Sequence, residues 1–123
     1  MVLGKRKGNT FENKIYKDLR AIKFCQIQKS LGSGNTDEPG DLLFHGPNGN
    51  KYVIECKHYK KLSYRKLEKF YSKTANDIVE KLDIDWKPII IYRINNTPIM
   101  CYLQYLGIMC SIKYVDWKGR LYA

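Results

Sequence analysis

Apolar residues recur every three or four positions through Phe11, Ile15, Leu19 and Ile22, the single stripe of a helix that should end near Lys23. Asn9-Thr10-Phe11-Glu12 fits a capping box, with an Asn or Thr cap and an acid at the third position, and would start that helix. Residues 24–28 then read as a short strand. Leu31-Gly32-Ser33-Gly34-Asn35 is loop chemistry that runs on through Asp37 and Pro39, and residues 40–44 enter a strand. The turn cluster Gly46-Pro47-Asn48-Gly49-Asn50 joins 41–45 to 51–57 as an antiparallel hairpin. Ser63 is placed to cap a second helix, whose apolar face comprises Tyr64, Leu67, Phe70, Tyr71, Ile78, Val79 and Leu82. Pro88 opens a buried strand at 89–92. Asn95-Asn96-Thr97 turns into another strand at 99–103, and a last strand covers 108–115.

The order helix, strands, helix, strands predicts an α/β or α+β domain, with helices packed on a mixed sheet. No repeat, low-complexity tract or long linker divides the 123 residues, so one domain is expected, preceded by a flexible basic arm at 1–8.

Charge narrows the class of partner. Twenty-two Lys and Arg against twelve Asp and Glu leave a formal net charge of +10, which favours phosphate backbones, with an anionic membrane surface as the competitor. There is no long apolar span. Lys5, Arg6 and Lys7 are followed by polar residues rather than a signal-like apolar core, so a cytoplasmic protein with no membrane role is expected. The four cysteines, Cys25, Cys56, Cys101 and Cys110, lack C-x-x-C spacing and read as buried reduced thiols. A zinc site using His45 or His58 lacks the paired ligand spacing such sites show.

The chemistry concentrates between Asp41 and Lys57. Side chains alternate along a strand, so Tyr52, Ile54 and Cys56 point one way while Val53, Glu55 and Lys57 point the other. Glu55 and Lys57 then stand on one face, and Asp41, near the end of the paired strand, can join them. Two carboxylates and an ammonium make a compact site for a hard divalent cation and a water molecule, and at +10 the obvious anionic substrate is nucleic acid. Lys60, Lys61, Arg65 and Lys66 crowd the strand exit and, with Lys5, Arg6 and Lys7, would flank the acids and neutralise phosphates. Lys69 and Lys73 read better as a solvated helix face. Tyr59 and Tyr64 are interleaved among these charges and offer rings for an unpaired base. Nothing resembles a base-reading motif, so contact should be to backbone and shape. Simpler roles exist for the same residues: Glu12 as capping-box partner, Asp41 as a turn residue, Glu55 and Lys57 as a solvated edge pair, Ser33 as a loop hydroxyl.

Taken in order, Glu12 on a helix, Pro39-Gly40-Asp41 and Glu55-Cys56-Lys57 on a strand resemble the PD-(D/E)xK nuclease superfamily. Within it the likeness is to the archaeal-type Holliday-junction resolvases, which also open with a basic arm and carry a Gly-Ser-Gly-type loop before the aspartate. The resemblance covers residues 4–60; past Ser63 only the helix-then-strands outline matches. Gly40 separates Pro39 from Asp41, so the literal Pro-Asp pair is absent. The resemblance implies an α/β restriction-endonuclease-like core, a central mixed sheet flanked by helices. It implies Asp41, Glu55 and the Cys56 backbone carbonyl as ligands of Mg2+ or Mn2+, Lys57 acting on the attacking water and transition-state charge, and Glu12 extending the cluster through a water or second metal. Ser33 matches the loop serine that supports cleavage in the resolvases.

The implied activity is a metal-dependent DNA endonuclease acting at four-way junctions or other branched DNA, in recombination and repair within a prokaryotic or viral DNA compartment. A homodimer would match the two-fold symmetry of a junction, with part of 89–105 as its seam or, by default, as core. The alternatives are a restriction-like or repair nuclease on ordinary duplex, and a non-catalytic nucleic-acid-binding module.

Overall fold

The computed structural model describes residues 2–30 and 40–122, with residues 2–9 and Asn48 described by backbone alone. The elements in order are α1 (Val2–Arg20), β1 (Gln26–Lys29), β2 (Leu42–His45), a 3-10 turn (Pro47–Gly49), β3 (Lys51–Tyr59), α2 (Tyr64–Lys81), β4 (Trp86–Ile94), β5 (Met100–Tyr105), β6 (Ile108–Lys113) and α3 (Tyr114–Gly119). The strands form one six-stranded sheet in the order β1-β2-β3-β4-β5-β6. β3 and β4 pair in parallel and every other neighbour is antiparallel, so the sheet is mixed and the fold is α/β, as expected. A parallel pair needs a crossover, and α2 is that crossover.

The alternation of β3 assigns each helix its face. Phe11, Ile15 and Leu19 of α1 and Trp117 of α3 cover Leu42, Phe44, Ile54, Cys56, Ile89 and Ile91. On the other face, Leu67 of α2 packs with Ile90, Tyr92 and Tyr102, and Ile78 packs with Leu43 and Val53. The central strands are therefore covered on both sides, which is why Ile89, Ile90 and Ile91 form an unbroken apolar run with no exposure at all. From Ile89 to Ile91 and from Cys101 to Leu103 the chain is core, and the exposed apolar residues lie at the β5–β6 turn, at Tyr105, Leu106 and Ile108.

Strand ends shift by a few residues from expectation, β4 most, since it begins at Trp86 with Pro88 inside it. The larger differences are at the two ends of α1 and after β6. α1 begins at Val2, so the residues expected to form a basic arm continue the helix, and Asn9-Thr10-Phe11-Glu12 lies inside it rather than capping it. Leu3, Lys5, Arg6 and Lys7 are good helix formers and no proline interrupts them, which outweighs the cost of Gly4 and Gly8. At its other end α1 stops at Arg20, with Phe24 at φ 66° in the turn that leads into β1. The last strand ends at Lys113 and the chain turns into α3. There Tyr114 and Lys118 both donate to Asp18 Oδ2 on α1 at 2.7 Å, an anchor from a distant part of the chain. The expected cap of α2 is in place, with Ser63 Oγ accepting from the Lys66 N–H at 3.2 Å.

Candidate active site

Asp41 is held by the backbone on both sides. Its N–H donates to the Ile54 carbonyl at 2.9 Å and its carbonyl accepts from the Ser30 N–H at 3.0 Å. Leu42 lies opposite Ile54 in the antiparallel register, and Asp41, the residue before it, brings its carboxyl beside that of Glu55. Gly40 makes this entry possible. Its φ is +69°, and a Cβ built there would stand 2.5 Å from Val53 Cγ1 and 3.1 Å from the Ile54 carbonyl oxygen. The glycine that interrupts the literal Pro-Asp pair is thus what lets the chain turn in against β3.

The Asp41 side chain completes the ladder where β2 begins: its Oδ2 accepts from the Cys56 N–H at 2.8 Å. In a strand the N–H and C=O of one residue leave on the same side, so the Cys56 carbonyl also faces the Asp41 side. The Asp41 and Glu55 carboxyls are hydrogen-bonded to each other. Burial and the Asp41 charge push the Glu55 carboxyl up to about 7, with the Lys57 and Lys73 ammonium groups offsetting part of the rise. Burial also raises Asp41, against the stabilising Cys56 N–H, Lys57, Glu55 and Lys73. Burial thus holds both carboxyls above the usual carboxylate range, and the Asp41 charge adds to the rise at Glu55. Lys57 Nζ stands 3.9 Å from Glu55 Oε2, and both side chains are mostly buried. A solvated edge pair does not describe this arrangement, because β3 lies inside the sheet.

Glu12 approaches from the α1 side of the sheet, where Phe11 packs with the His58 ring at 5.5 Å. Burial and the Asp41 charge raise its carboxyl, and Lys29 of β1 opposes this from 4.0 Å. Lys29 also donates to Asn13 and lies over the Tyr16 ring. Glu12 thus feels the acid pair but bonds elsewhere; its partner is Lys29, not the helix start that a capping box requires. Among the described residues no three His, Cys, Asp or Glu side chains stand close enough to form a ready-made metal cage. Burial, followed by the charges of Asp41, Glu12 and Glu55, pushes the Cys56 thiol far up, which leaves it an inert neutral group between the acids. All four cysteines are free thiols, with Cys56 and Cys101 buried.

Lys73 is exposed on α2, as expected of a solvated helix face, and its charge still reaches both Asp41 and Glu55. Its place one turn beyond the apolar Phe70 was the only signal in the sequence. Lys60, Lys61 and Arg65 are exposed where β3 leads into α2. Lys5, Arg6 and Lys7 lie in the first turns of α1. Tyr59 does not present an open ring: it stacks on Phe70. Tyr64 is 55% exposed, with its ring edge-on to Tyr102. Ser33 and Pro39 lie outside the described residues.

A mixed sheet with an aspartate at a strand entrance, an E-x-K triplet on the neighbouring strand and helices on both faces defines the PD-(D/E)xK class of nuclease. The chain belongs to the family described as "Phage putative PDDEXK endonuclease", whose pattern it matches over residues 4–116. In three dimensions it is similar to Hjc of Archaeoglobus fulgidus, a Holliday junction resolvase from an archaeal hyperthermophile. The TM-score is 0.52 at 15% identity, over 91% of this chain and 93% of that one, a likeness of fold. No curated protein matches the chain in sequence. The class of activity is that of a DNA endonuclease. Among the described residues no helix is long and apolar enough to cross a membrane.

Proposed function

We propose that this chain is a metal-dependent endonuclease that hydrolyses phosphodiester bonds in branched DNA, four-way junctions above all. The observation that carries the reading is the partly buried pair of carboxyls, Asp41 and Glu55, with Lys57 Nζ 3.9 Å from Glu55 Oε2. Two hard carboxylates in one buried place repel each other unless a proton or a cation stands between them. A divalent ion held by these residues would relieve that repulsion. Asp41, Glu55 and the Cys56 carbonyl are the oxygen donors for Mg2+ or Mn2+, and a donor set this small suits Mg2+, which keeps several waters and takes substrate phosphate as a ligand.

The chemistry supplied by such an ion is polarisation of a phosphoryl oxygen and acidification of a nearby water. The chain's own residues do the remainder. Lys57 donates to the attacking water or to the phosphate oxygen on which charge accumulates, from a site whose burial strengthens the interaction. Lys73 adds a second positive charge from α2, and Glu12 reaches the site through a water or through its field. Lys60, Lys61 and Arg65, with Lys5, Arg6 and Lys7, neutralise phosphates on either side of the cut.

A junction has two-fold symmetry and so suits a homodimer with two sites, for which the exposed Tyr105, Leu106 and Ile108 are the available apolar seam. The fold likeness to a Holliday junction resolvase supports the branched substrate. The chain would act as one nuclease domain in the cytoplasm, where a prokaryotic or viral genome is recombined and repaired. The family description names an endonuclease without a junction, and this favours a second reading, the same site cutting ordinary duplex.

A nicking assay on a synthetic four-way junction and on linear duplex of the same sequence, with Mg2+ and with chelator, separates these. Metal-dependent cutting of the junction alone is expected. Equal cutting of both substrates would support the duplex nuclease, and binding with no cutting would leave a non-catalytic binding module.

A further inference from the structure

Lys57 is held from two sides. Its Nζ stands 3.9 Å from Glu55 Oε2 and 4.4 Å from the centre of the Phe70 ring. Phe70 projects from α2, half-buried beside Leu67, Ile90, Tyr92 and Tyr102. Its ring lies parallel to that of Tyr59, with planes 4° apart and centroids at 6.2 Å, and Lys66 Nζ lies 5.8 Å from the Tyr59 ring centre. Tyr59 is two residues beyond Lys57 on β3, so both project from the same face toward the crossover helix.

A lysine side chain is a flexible four-carbon stem carrying a compact charge. A single carboxylate at 3.9 Å restrains that charge poorly. The face of an aromatic ring adds attraction where water is excluded, and a ring clamped by a second ring cannot swing away. We infer that Phe70 is a positioning residue for Lys57: its ring face holds the ammonium against the Asp41–Glu55 pair, with Tyr59 as backing. The inference rests on the nuclease reading for its effect on rate, but the contact itself can be tested apart from any activity. Size and hydrophobicity are not the requirement, since an aliphatic side chain would fill the same space and offer no negative ring face.

The experiment compares Phe70→Leu with Phe70→Tyr in single-turnover cleavage, substrate binding and thermal unfolding. Phe70→Leu should cut about tenfold more slowly while binding the substrate within about twofold of the parent, and Phe70→Tyr should return the rate to within about twofold. Parental cutting by Phe70→Leu, or equal loss in Phe70→Tyr, would overturn the inference. The second measurement needs no variant that alters the ring: the Lys57 ε-methylene protons, assigned by their disappearance in Lys57→Arg, should be shifted upfield by the ring current. Unshifted ε-protons would sink the contact whatever the fate of the Leu variant. Should the parent protein cut no DNA, the nuclease reading fails, while the ring-current shift still decides the placement of Lys57.

Discussion

The Cys56 N–H donates to Asp41 Oδ2 over 2.8 Å, so a carboxylate takes the place of the next residue of β2 in the sheet ladder. One oxygen of Asp41 is thereby committed to structure. The other carboxyl interaction is with Glu55, which is how a single aspartate both opens a strand and begins a site.

Removing charge from the pair should separate cutting from folding. Asp41→Asn and Glu55→Gln are expected to lower cleavage by at least about a hundredfold while leaving DNA binding within a few-fold. Asp41→Ala also deprives the Cys56 N–H of its acceptor and should cost about 1–3 kcal/mol of stability, read by denaturant unfolding. Parental cutting by either isosteric variant would remove that residue from the mechanism.

The pH dependence follows from the raised Glu55 carboxyl. Its pKa in the folded chain, about 7, lies above its ordinary value of 4.5, so the folded state binds the extra proton between these limits. Stability without metal is therefore fully present below about 4.5 and falls as pH rises through about 7. Melting temperatures in chelator should show that decline, and Glu55→Gln should flatten it. Divalent-ion affinity should run the opposite way and rise through the same window, because ion and proton compete for the Glu55 carboxyl. Calorimetric titration at three pH values would check this.

Gly40→Ala tests the entrance to the site. The added methyl would stand 2.5 Å from Val53 Cγ1, on a backbone at φ +69°. A loss of about 1–3 kcal/mol is expected, with cleavage impaired further as Asp41 shifts relative to Glu55. Unchanged melting and unchanged cutting would mean that the chain can enter β2 another way.

Substrate affinity should fall steeply with added salt, since contact is expected to be with phosphates. Replacing Lys60 and Lys61 together by Ala should lower the slope of log affinity against log salt by about 2, equally on junctions of different sequence. A salt-independent affinity would contradict backbone recognition.

Much of the site was legible because it is written in local periods. The two-residue alternation of β3 put Glu55 and Lys57 on one face, the hairpin register brought Asp41 beside them, and Ser63 marked the start of the crossover helix. The run of isoleucines in β4 announced a strand buried on both sides. Other features depended on partners far along the chain. Glu12 looked like a cap until Lys29 stood beside it, and α3 was indistinguishable from strand until Asp18 received Tyr114 and Lys118. The sequence of α2 does not tell which strand residues Phe70 and Lys73 meet, because a helix stripe records which side faces inward and not what it faces. Periodicity is a property of neighbouring residues and survives in the bare sequence, whereas the company a side chain keeps across a sheet is set by how whole elements pack.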